Sequence, residues 1–164
     1  MPDEMIHAIL SARGDGRTVR NPIAGAIEFK ASAQQTAGVV SAFESTPAPG
    51  EGPPLHVHLD DNEVLVFLDA LFRLKSDDVV RNAPPGSFAF IPKGVPHTWQ
   101  NIGESPGRLL FMFLPGAVGM EEFFEQLALD AAGEAAPTEA FATLAEAAGM
   151  KVVGPPLAQS DPLV

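Results

Sequence analysis

The chain has four histidines, and two of them, His56 and His58, stand one residue apart in the segment LHVHL. Successive side chains of a β-strand point to opposite faces, so this pair shares one face while Leu55, Val57 and Leu59 take the other. An acidic turn, Asp60-Asp61-Asn62, follows, and Glu63 opens the next apolar run. A reversal at that turn brings the Glu63 carboxylate level with both imidazoles. The third histidine of interest, His97, comes just after the tight stretch PKGVP. Three neutral imidazoles and one carboxylate form a ligand set for a single divalent transition metal: iron, nickel, cobalt, manganese, copper or zinc. Four protein ligands on an octahedral ion leave open positions for a substrate. An isolated His-x-His pair would be weak evidence, since a plain core or surface pair is commoner. The glutamate and His97 are what make this group a candidate.

These residues need strands to hold them, and the middle of the chain supplies strand-like segments. Apolar runs of strand length occur at 24–31, 36–45, 55–59, 63–68, 70–76, 86–92, 97–101 and 108–114. Proline (16) and glycine (15) are frequent between the runs and mark turns. At least seven short strands at this spacing predict an all-β sandwich or barrel. After residue 115 the period changes. Met120, Phe123, Phe124 and Leu127 fall on one helical face, and Phe141, Leu144, Ala145 and Ala148 repeat the pattern. Two helices packed outside the barrel are expected, joined by a linker over 130–137. The tail from Gly154 to Val164 is expected to be extended or partly disordered.

Composition excludes several function classes. Ten basic against 21 acidic residues give a net charge of -11, which argues against nucleic acid and against an anionic membrane surface. Absence of cysteine excludes disulfides, thiolate nucleophiles and thiolate metal sites. The N-terminal segment is acidic with only a brief apolar stretch, so no secretory signal is read there. No run reaches the length of a membrane span. A cytoplasmic protein is expected.

The spacing of Gly50, His56, His58 and Glu63 resembles the first signature motif of the cupin superfamily. Gly86, Pro92, Gly94, His97 and Asn101 resemble the second, with every spacing matched. The glycine that closes the first motif is replaced by Ala70, at a turn where a positive φ is cheap for glycine and costly for alanine. That departure touches the turn and no ligand. The resemblance implies one cupin domain over 1–164: a jelly-roll β-barrel core at about 20–115 and a helical segment at about 117–150. Gly86, Pro92, Gly94 and Pro96 then shape turns, and Asn101 bonds a nearby loop or caps a turn. His7 lies outside both motifs and is expected to be a surface or core residue.

Alternation along barrel strands places Trp99 on the face of His97, and Leu65 and Phe67 on the face of Glu63. With Phe43 and Met112 they would line an apolar pocket whose polar anchor is the metal. The stretch 35–58, the second motif, the EEFFEQL segment and the ending VVGPPL resemble small single-domain bacterial cupins grouped with quercetin 2,3-dioxygenases. In those, a flavonol binds a divalent metal on three histidines and a glutamate, and dioxygen cleaves its ring. Carried over, His56, His58, His97 and Glu63 hold the metal, and Glu63 doubles as base. The alternatives are a metal-dependent cyclase or isomerase of natural products, and a non-catalytic small-molecule-binding cupin. A homodimer is also implied, because barrels of this class pair and NPIAGAIEF is apolar enough to need cover.

Overall fold

The computed structural model describes residues 6–128 and 138–164, with side chains of 138–140 left aside. The linker expected at 130–137 lies outside the described residues. The strands are β1 (Thr18–Asn21), β2 (Gly25–Ala31), β3 (Ser41–Thr46), β4 (Pro54–His58), β5 (Asn62–Asp69), β6 (Phe72–Ser76), β7 (Val79–Ala83), β8 (Ser87–Ile91), β9 (His97–Asn101), β10 (Arg108–Leu114) and β11 (Met150–Pro156). Three helices occur among the described residues, α1 (Val118–Gln126), α2 (Thr138–Ala147) and α3 (Leu157–Ser160). No helix among the described residues is long and apolar enough to cross a membrane.

Two antiparallel sheets face each other in a jelly roll. One has the order β1-β2-β3-β10-β5-β8, and the other β11-β4-β9-β6-β7. Alternating burial along β10 shows the packing principle: Leu109, Phe111 and Phe113 are buried, while Leu110 and Met112 on the other face are half-buried. Between the sheets, Phe43 stacks on Phe111 at 5.2 Å and meets Phe113 and Phe124 edge-on at 6.0 and 5.1 Å. Each fully buried phenylalanine contributes roughly 1.5–3 kcal/mol through removal of apolar surface from water. This cluster ties the six-stranded sheet to α1, while Phe67 against Phe72 at 5.1 Å and His58 against Phe113 at 4.9 Å join the two sheets.

The helices cap the barrel as well as flanking it. Ser41 Oγ accepts from the Ala117 N–H at 3.0 Å and donates to Glu121 Oε1 at 2.7 Å. Glu121 Oε1 also accepts from the Ala33 N–H at 2.6 Å. Polar contacts therefore fix α1 against the β2–β3 end, and Met120, Phe123 and Phe124 point inward.

The tail corrects an expectation. Residues 150–156 form β11, paired along β4 from Met150↔His58 to Pro156↔Pro54. Leu157 behind it is buried, and the Arg73 guanidinium donates to the Leu157 and Asp161 carbonyls at 3.2 and 2.6 Å. Of the tail from Gly154, residues 154–156 are extended as part of β11 and Leu157–Ser160 turn helical, an order that comes from tertiary contacts.

Candidate metal centre

The first histidine strand is held in place by backbone approach on both sides. At Gly52, just ahead of β4, a Cβ would overlap the Trp99 carbonyl oxygen, so only glycine lets the chain pass this close to β9. Thr98 Oγ1 donates to the Pro53 carbonyl at 2.6 Å and tightens the same crossing. The ladder between β4 and β9 is reduced to one register pair, His56↔His97. Beyond β4, the Gly94 N–H, in a turn with φ +83°, donates to the His58 carbonyl at 2.7 Å. Two ligand-bearing segments are thus linked directly through their backbones. Asn101 stabilises the far end: its Nδ2 donates to the Pro47 and Ser105 carbonyls, both at 3.0 Å.

His56, His58, Glu63 and His97 converge, each no more than 5% exposed. One candidate ligand atom from each lies within 4.8 Å of the others. His56 Nδ1 lies 2.8 Å from the Pro54 carbonyl, and His97 Nδ1 lies 2.9 Å from the Val95 carbonyl. Carbonyls only accept, so both Nδ1 atoms carry hydrogen and both Nε2 atoms are directed to the cluster. Glu63 Oε2 accepts from His97 Nε2 at 2.6 Å, and His58 Nε2 lies 3.3 Å from the same oxygen without hydrogen-bond geometry.

The electrostatics suit a cation. Burial works against the Glu63 carboxylate, but His58 and His97 outweigh it and hold the group far below the usual carboxylate range. Burial also opposes charge on His97, yet its bond to Glu63 raises its pKa. Burial and the two neighbouring imidazoles keep His56 well below the ordinary histidine value, so it is neutral. Both ring nitrogens of His58 are buried without a hydrogen-bond partner among the described residues. An orphaned imidazole in a protein interior is costly unless something accepts its lone pair. A divalent ion at the cluster would accept it and replace the proton shared by His97 and Glu63, so the four side chains could hold a metal. Glu63 Oε1 has no partner among the described residues, which leaves that oxygen available to a ligand.

The cluster opens into a cavity of about 50 Å³. His56, His58 and Glu63 line it together with Trp99, Phe111, Phe113, Met120, Phe123, Phe124, Phe141 and Met150. Of the expected pocket residues, Trp99 lies on this wall. Phe43, Leu65 and Phe67 point inward but are fully buried in the core behind it. Met112 is a correction. Along β10 burial alternates without a break, so Phe111 and Phe113 face the cavity and Met112 lies on the outer surface beside Ala42 and Leu110. RLLFMFL is apolar throughout and offers no alternation from which to choose a face. The contribution of α1 and Phe141 was equally hidden, although the apolar helical faces were the available signal. His7 is exposed, away from this site.

Residues 43–113 match the family model described as Cupin domain. No curated protein matches the chain in sequence. Among solved structures, the chain resembles an RmlC-like cupin from Shewanella frigidimarina (16% identity, 67% of this chain and 93% of that one covered, TM-score 0.58). It also resembles the polyketide cyclase RemF from Streptomyces resistomycificus (22%, 66% and 80%, 0.56). A third similar structure is a predicted oxalate decarboxylase from Thermotoga maritima (17%, 66% and 99%, 0.56). At these identities the likeness concerns the fold.

Proposed function

We propose, from the Cupin domain match over residues 43–113 and the cupin fold shared with solved structures, that the chain is a metal-dependent cupin enzyme acting on a small oxygenated aromatic molecule, as a dioxygenase of the quercetin-cleaving type. One observation carries this reading: the buried His56-His58-Glu63-His97 set opens into a cavity whose remaining wall is almost wholly apolar and aromatic. A divalent transition metal bound there would supply a Lewis acid and, if redox-active, a route for electrons to dioxygen. The protein's own side chains do the rest. The aromatic wall excludes water and favours a flat ring. Glu63 is ionised throughout the neutral range, with Oε2 turned to the histidines and Oε1 available to take the proton of a substrate hydroxyl. A water needs roughly 10–15 Å³, so a cavity of about 50 Å³ holds a few of them. A ring enters when Phe123, Phe124 and Phe141 turn aside. A cytoplasmic setting belongs to the same reading.

An ionised carboxylate at an apolar cavity equally serves a redox-neutral cyclisation or isomerisation, which is the second reading. Elemental analysis followed by a flavonol panel in an oxygen electrode separates them. The dioxygenase reading expects a transition metal near one per chain and oxygen uptake with ring cleavage. Conversion without oxygen uptake would indicate the cyclase or isomerase. Binding with no conversion of any chelating aromatic would leave a small-molecule-binding cupin.

A further inference from the structure

Asn21, the last residue of β1, is 4% exposed and lies on the cavity wall, yet it belongs to neither signature motif and holds no candidate ligand atom. Its Oδ1 accepts the Ile23 N–H at 2.9 Å in a local turn. A backbone N–H can only donate, so this bond fixes the amide orientation, with Oδ1 on the turn and Nδ2 on the other side. The Asn21 side chain makes no other hydrogen bond among the described residues, and Nδ2 is not one of the enclosed unpartnered atoms, so it keeps some accessible surface. Its neighbours on the wall, Ile23, Ala24, Ile27 and Phe124, offer no acceptor side chain. An amide donor at the edge of an apolar cavity finds no side-chain acceptor there, and a ligand oxygen would supply one.

We propose that Asn21 determines substrate specificity: its Nδ2 donates a hydrogen bond to an acceptor oxygen of the bound substrate, separate from the oxygens that chelate at the histidine cluster. The substrate class is therefore an aromatic ring with a chelating oxygen pair and, apart from it, a carbonyl or ether oxygen. This rests on the function proposed above and narrows it.

Trp99 is the only tryptophan and lines the same cavity, so its fluorescence reports occupancy directly. The full-length protein is loaded with cobalt(II) and titrated with catechol, which has only the chelating pair, and with acetylcatechol, which adds a carbonyl. The parent is expected to bind acetylcatechol about tenfold more tightly, the scale of one recovered buried hydrogen bond. Asn21→Asp keeps an oxygen for the Ile23 N–H but loses the donor. It should lose the preference for acetylcatechol, keep catechol affinity, and gain affinity for aminomethylcatechol, whose ammonium suits a carboxylate. Asn21→Leu should lose the preference without that gain. Equal weakening of all three ligands in both variants, or an unchanged preference, would overturn the proposal. If the loaded parent binds neither catechol nor acetylcatechol, the chelating-substrate reading fails first and the role of Asn21 falls with it. If catechol binds and acetylcatechol is no tighter, only the role of Asn21 is refuted.

Discussion

At the scale of single residues, Glu63 has two oxygens in different surroundings, and this separates binding from chemistry. Glu63→Gln keeps three imidazoles in place, so metal is expected to be partly retained while turnover falls about a hundredfold or more, the scale of losing a general base. His56→Ala and His97→Ala should lose metal and activity together; metal content measured beside turnover checks all three. Near-normal turnover in metal-bound Glu63→Gln would remove the base role. The pH dependence of metal uptake follows from the same contacts. His97 is raised above its ordinary value of 6.5 and His56 lies well below it, so His97 is the group that must give up a proton. Metal affinity should rise with pH, the rise continuing above the ordinary histidine value of 6.5 with release of that proton, because lower pH favours the competing imidazolium. Calorimetry in buffers of different ionisation enthalpy measures it. Ala70 has φ +64°, the glycine-type backbone suspected from the motif. Ala70→Gly should therefore stabilise the protein by about 1 kcal/mol, seen as a higher melting temperature. An unchanged or lower value would mean that the lost methyl contacts outweigh the relieved strain.

At the scale of elements, α1 is both lid and core. Phe124 packs on Phe43 at 5.1 Å, Phe111 at 5.5 Å and Phe123 at 5.5 Å, and it also faces the cavity. Phe124→Ala should cost about 3 kcal/mol in chemical denaturation, within the range for truncating a buried phenylalanine, and should speed ligand entry in stopped-flow fluorescence. Faster entry without lost stability would show that the residue gates but does not support the core. Legibility of the sequence followed the physics of each element. His56 and His58 could be placed because LHVHL lies between clear turns and the pleat fixes their shared face. β1 and β7 were not legible, since TVRN and VVRNA are short, polar and largely exposed. Parity in β10 was hidden because Leu109–Leu114 is apolar on both faces, and the composition of the cavity wall depended on where the helices dock.

At the scale of the whole molecule, the jelly roll leaves apolar surface at one sheet edge. Phe88 and Phe90 of β8 are 66% and 54% exposed on the outer face of the six-stranded sheet. The homodimer was expected to cover NPIAGAIEF, yet residues 21–29 are buried or half-buried within one chain, so Phe88 and Phe90 are the surface left for a partner copy; light scattering at micromolar concentration should show twice the chain mass of 17.2 kDa. A monomer there would remove the expectation. The return of the chain to β11 has a further consequence, for the order of assembly. Strand β4, which carries two of the ligands, shares one register pair with β9 but five with β11, made some ninety residues later. Contacts so distant in sequence form late and slow the folding of β-rich domains. A nascent chain therefore presents the two-histidine strand with an unpaired edge until its last strand is synthesised, and this is the interval in which it is most exposed to mispairing with other chains.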